Sequence, residues 1–115
     1  MSDTEGNINW FEVPASDVSR AEGFYALAFG WSFAPFDMTG AYSITQEGGG
    51  AIYRDSEKKG IRVYFSTGDL EGSIAKVRDA GGQSGEAQEI PNVGHYATCT
   101  DTEGNAFGLF QRDQA

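Results

Sequence analysis

The sequence is poor in the residues that staple or metallate small proteins. It has one cysteine and one histidine among 115 residues. Cys99 alone cannot close an internal disulfide, and one imidazole leaves little for a histidine-based metal set. Basic residues are also scarce: eight Lys and Arg stand against 17 Asp and Glu, a net charge of −9. Such a surface repels phosphate backbones and anionic membranes, so neither is an expected partner. No apolar run approaches the ~20 residues that span a bilayer. Met1 to Asn9 is polar and acidic, unlike a signal peptide. With a single thiol, the expected compartment is the reducing cytoplasm.

What is present fits a folded chain. Hydrophobic residues make up 39% and charged residues 22%. The length suits one domain spanning 1–115, with one core. Eight Phe, five Tyr and two Trp suit either a core or the wall of an apolar pocket.

The chain reads as one pattern written twice. Asn7–Pro14 predicts a strand. Asp17 is a helix N-cap before the apolar positions Val18, Ala21, Phe24, Tyr25, Ala28 and Phe29, and Gly30 stops the helix. Strands follow at Trp31–Phe36, Ala41–Gln46 and Gly49–Arg54, then a charged loop from Asp55 to Gly60. The second round has a strand at Ile61–Thr67 and an N-cap at Asp69. A helix through Leu70, Ile74, Val77 and Ala80 ends at Gly81-Gly82, and strands follow at Gln83–Ile90, His95–Thr100 and Asn105–Gln111. The two N-caps lie 52 residues apart. Neither half buries much alone, so two halves, about 7–57 and 60–112, are expected to pair around a shared cavity.

Several segments carry a resemblance. They are Trp10-Phe11-Glu12-Val13-Pro14 with Asp17, Phe24-Tyr25 and Phe29-Gly30-Trp31; Val63-Tyr64-Phe65 with Asp69; and Gly94-His95-Tyr96 with Phe107-Gly108-Leu109-Phe110-Gln111. Together they resemble the glyoxalase/bleomycin-resistance/dioxygenase (vicinal oxygen chelate) superfamily, in its short glyoxalase-like branch. The resemblance implies an α+β fold of two βαβββ modules, a curved mixed sheet around a cleft, and a homodimer. It also implies four metal-ligand positions. These fall on Trp10, Val63, Gly108 and a residue near Tyr53, none of them a good ligand. No metal and no cofactor is therefore expected.

Alternation along the first strand puts Trp10 and Glu12 on one face, with Phe11 and Val13 under the helix. The resemblance makes the first face the cleft. There Trp10 either stacks on a planar ligand or fills the core. Glu12 is either a general base or acid, or a carboxylate satisfied by a hydrogen bond or by Arg62 or Arg54. His95 is a second acid–base candidate, its alternative a surface residue. Tyr42, Tyr53, Tyr96, Phe65 and Phe110 complete an aromatic wall, with Phe65 and Phe110 sharing the face of Val63 and Gly108. Cys99 is expected to be a buried, inert thiol. Gly48-Gly49-Gly50 lacks the Lys-Ser/Thr of a phosphate loop and reads as a tight turn.

The expected function is metal-free binding of an apolar or aromatic small molecule, including sequestration of an antibiotic-like compound. The alternatives are a glyoxalase-like lyase or isomerase with Glu12 as base, and a metal-dependent lyase or dioxygenase with displaced ligands.

Overall fold

The computed structural model describes residues 4–57 and 60–113. The Lys58-Lys59 part of the expected charged loop lies outside them. The chain divides into two compact units. One is Trp10–Ile61; the other joins residues 4–9 to 62–113.

The first unit holds β1 (Ile8–Ala15, entering at Trp10), α1 (Val18–Phe29), β2 (Phe33–Pro35), β3 (Tyr42–Thr45) and β4 (Gly50–Arg54). β4 lies parallel to β1, with Phe11 opposite Gly50 and Val13 opposite Ile52. β3 lies antiparallel to β4, and β2 antiparallel to β3. Local chemistry sets the helix ends as expected. The Asp17 carboxylate accepts from Arg20 N–H at 3.0 Å. Gly30 takes the left-handed conformation, φ 74°, and its N–H donates to Ala26 C=O.

The amphipathic reading of α1 holds only in part. Val18 is buried, but Phe24, Ala28 and Phe29 are exposed. Residues at i, i+3 and i+4 drift around the cylinder, and only the arc over the sheet is covered.

The second unit holds β5 (Arg62–Ser66), α2 (Leu70–Asp79), β6 (Gln83–Ser84), β7 (Gln88–Ile90), β8 (Gly94–Thr100) and β9 (Ala106–Arg112). β5 is parallel to β9, and β9 is antiparallel to β8. Residues 4–9 join this unit: Ser66 N–H donates to Asn7 C=O at 2.7 Å. The Asp69 carboxylate caps α2 by accepting from Gly72 N–H. Leu70 and Ile74 pack on Ala97, Cys99 and Leu109, with Phe65, Val77 and Phe107 around them. Cys99 is buried, as expected of an inert thiol.

The strand expected over Gln83–Ile90 is split. Ser84 faces Cys99 and Gln88 faces Tyr96, so three residues, 85–87, oppose two, 97–98. One extra residue of this kind is a β-bulge, invisible to hydrophobic periodicity.

Candidate functional site

The first unit's sheet has two distinct faces. Phe11, Val13, Gly50, Ile52 and Ser43 share one by register and alternation. The Ser43 hydroxyl donates to the Glu22 carboxylate of α1, which marks this face as the one under the helix. A Cβ at Gly50 would collide with the Phe11 ring, so glycine is what lets that ring lie flat there. Trp10, Glu12, Tyr42 and Tyr53 take the opposite face, as the alternation of β1 predicts for the first two.

On that open face three side chains from two strands form a chain of hydrogen bonds. The Trp10 indole N–H donates to the Tyr42 hydroxyl at 2.8 Å. The Tyr42 hydroxyl donates to the Glu12 carboxylate at 2.6 Å. Of these three side chains only the hydroxyl both accepts and donates, so Tyr42 is the joint between ring and charge. Phe36 sets its ring edge-on to Tyr42, centroids 5.7 Å apart, and is half exposed. Tyr53 lies on the same face opposite Tyr42, its hydroxyl donating to Asp55 at 3.4 Å. All three members of the chain are partly buried. Glu12 is thus an acceptor within a network, which is the satisfied-carboxylate arrangement.

The residues at the metal-ligand positions do not fit a cation. The one donor atom of Trp10 is an N–H engaged by Tyr42. The Tyr53 hydroxyl is turned to Asp55. Gly108 has no side chain, and the Tyr64 ring occupies the space where a Cβ would stand. Among the described residues, no three His, Cys, Asp or Glu side chains come together as a metal site requires.

A family model described as a glyoxalase-like domain matches residues 10–110. The chain belongs to the glyoxalase-like domain family. A glyoxylase-like domain-containing protein of Didymella fabae is 33% identical over 121 aligned positions, covering 93% of this chain and 94% of that one. CFP32 of Mycobacterium bovis, provisionally named a glyoxylase, is 28% identical over 123 positions. That match covers 96% of this chain and 47% of CFP32, so the chain spans about half the length of that relative. Among solved structures, a variant Streptomyces coelicolor methylmalonyl-CoA epimerase in complex with 2-nitronate-propionyl-CoA superposes with a TM-score of 0.71 at 14% identity. It covers 96% of this chain and all of the epimerase. The hypothetical protein BH1468 of Bacillus halodurans gives 0.74 at 11% identity, covering 96% of each chain. These likenesses establish the vicinal oxygen chelate fold, an α+β fold of repeated modules; at such identities they carry no activity.

In the second unit the structure corrects one strand of the expected site. Phe65 lies in the core under α2, against Phe107 at 5.6 Å, and Val63 shares its side. Neither belongs to the face of Gly108. Tyr64 stands opposite Gly108 instead, and Tyr96 stands opposite Phe110. That face also carries two cations over rings: Arg62 lies 5.8 Å from the Tyr64 centroid and Arg112 lies 5.5 Å from Phe110. The signal was available. Carrying Trp10 and Glu12 forward by the interval between Asp17 and Asp69 lands on Arg62 and Tyr64. His95 points to the side of Ala97 and Cys99, is about half exposed, and faces Asp113 at 3.8 Å. It does not join Tyr96, Gly108 and Phe110. Sequence reasoning missed Phe36 on the first unit's face, and Tyr64 and Arg112 on the second's; it named Arg62 only as a possible partner of Glu12.

Proposed function

We propose that this glyoxalase-like protein binds an apolar or aromatic small molecule without a metal, on the open face of the first unit. The Trp10–Tyr42–Glu12 chain carries the reading. It fixes an indole and a phenol side by side on one sheet face, where a planar group would meet them. Phe36 extends that apolar surface, and ring-on-ring contact is worth about 0.5–1.5 kcal/mol beyond burial. Binding of this kind needs no turnover and suits sequestration.

The reading is tested by thermal-shift and equilibrium-dialysis screening of planar aromatic compounds, with Tyr42→Phe as the control. A ligand that raises Tm in the parent should lose about tenfold in affinity in Tyr42→Phe. If no compound in a broad panel shifts Tm, or if Tyr42→Phe binds every hit equally well, the site lies elsewhere. Glu12→Gln separates binding from catalysis. Binding retained in Glu12→Gln, with no product formed by the parent protein from any hit, supports sequestration.

A further inference from the structure

A groove of about 310 Å³ runs between the end of β1 and α1, at the lower end of the size range of small-molecule pockets. Its lining is of two kinds. Val13, Pro14, Ala15, Ala21, Phe24 and Tyr25 give it apolar walls, and Ser16, Asp17 and Arg20 line it as well. The three polar residues all belong to the entry of α1, so they gather at one end. Phe24 and Tyr25 stand about one turn further along the helix.

Local bonds hold two opposite charges at the polar end. Asp17 Oδ1 accepts the Arg20 backbone N–H at 3.0 Å, as the helix cap. Ser16 Oγ accepts from Arg20 Nη2 at 3.2 Å, which holds the guanidinium at the same end. The second carboxylate oxygen, Asp17 Oδ2, lies 4.0 Å from Arg20 Nη1, beyond hydrogen-bond distance. Among the described residues, that oxygen accepts no hydrogen bond. The guanidinium has five N–H donors, and its side chain spends one of them, on Ser16. An exposed ion pair at such a distance adds little to folding, so a ligand can separate it at small cost. The repeat does not require the pair. Three residues after its own cap, Asp69, the second helix has Gly72 where the first has Arg20. The apolar end is held by its rings. Tyr25 stacks on Trp31 with centroids 5.1 Å apart, and Phe24 stands edge-on to Tyr25 at 5.0 Å.

We infer that this groove binds a free α-amino acid with an aromatic or large apolar side chain. The α-carboxylate meets Arg20, the α-ammonium meets Asp17 Oδ2, and the side chain lies along Phe24 and Tyr25. Other small molecules match the lining less well. An apolar solute would desolvate Asp17 and Arg20 without offering either a partner. An anion meets Asp17 and the wider repulsion of a chain of net charge −9, whereas a cation meets Arg20. A zwitterion carries no net charge and presents both signs close together, as the paired side chains do. The groove lies on the helix side of the first unit's sheet, away from Trp10, Tyr42 and Glu12, so the inference is independent of the site proposed on the open face.

Titration of the full chain with L-phenylalanine tests it, by isothermal calorimetry and by amide NMR shifts. Saturable binding in the high-micromolar range is expected, with the shifts centred on residues 13–25. Phenylalanine methyl ester lacks the carboxylate and N-acetylphenylalanine lacks the ammonium, so each should bind about tenfold more weakly or worse. Asp17→Asn removes the charge and keeps a good helix cap, and Arg20→Gln removes the guanidinium. Each should weaken phenylalanine about tenfold or more with unchanged far-ultraviolet circular dichroism. If either variant disturbs the fold, the ester and the acetyl compound carry the same test on the parent chain. No saturable binding up to about 10 mM overturns the inference. So does an ester or acetyl compound that binds as tightly as phenylalanine, or binding that leaves residues 13–25 unshifted.

Discussion

The two helices follow one plan and use it differently. α2 directs Leu70 and Ile74 into a core with Ala97, Cys99 and Leu109, and covers its outside with charge. α1 buries Val18, sets Glu22 against Ser43 beneath it, and turns Phe24 and Leu27 outward. One unit thus concentrates its apolar side chains in a closed core. The other buries Val18, Ala51 and Ile52 but leaves Phe24, Leu27 and Phe29 exposed on its helix. A repeat preserves backbone plan more faithfully than it preserves which surfaces are finished.

Truncations of the two helices test this contrast most strongly. Ile74→Ala should cost about 2–5 kcal/mol, because it opens a cavity among buried neighbours. Leu27→Ala should change the stability of dilute protein by less than about 0.5 kcal/mol. Urea unfolding of both variants makes the comparison, and equal costs would break it.

The glycines under the rings come next. Gly108→Ala drives a methyl into the Tyr64 ring, and Gly50→Ala drives one into Phe11. Each should cost about 1–3 kcal/mol by overpacking, read as a lowered Tm. The first unit's hydrogen-bond chain is smaller still. Tyr42→Phe should cost about 1 kcal/mol by urea unfolding and shift Trp10 emission, because the indole N–H loses its acceptor.

The smallest effect is acid-dependent. Asp101 accepts from the N–H groups of Asn105 and Glu103 in the turn before β9. The Asn105 backbone bond, then its side-chain amide, holds the carboxyl below its ordinary 3.8. A depressed carboxyl contributes fully above its unfolded value and loses that contribution as pH falls through the folded one. Asp101→Asn should therefore lower Tm slightly at neutral pH and flatten the fall in Tm below about pH 4. Thermal scans across that range read it.

The sequence made the backbone plan legible because the signals are local. Asp17, Asp69 and Gly30 each act within one helical turn, and the structure finds all three in those roles. The open face of β1 was legible by alternation from Trp10 and Glu12. The face of β5 was missed by a one-residue slip, which exchanges every side chain between core and surface. The partner of Glu12 was not legible. Tyr42 lies 30 residues away and reaches Glu12 only through the stacking of strands in the sheet. The exposure of Phe24 and Phe29 was hidden for a related reason. Spacing tells which residues share a stripe, not how wide an arc the sheet covers.

The central claim is that the Trp10–Tyr42–Glu12 face binds its ligand without a metal. Trp31 stacks on Tyr25 and would obscure the signal, so Trp31→Phe isolates the emission of Trp10. The decisive measurement is titration of that variant with planar aromatic compounds, before and after chelator treatment. The account predicts a saturable change in emission with the same midpoint in both preparations. Emission that no compound alters, or a response that chelation abolishes and a divalent metal restores, would contradict it.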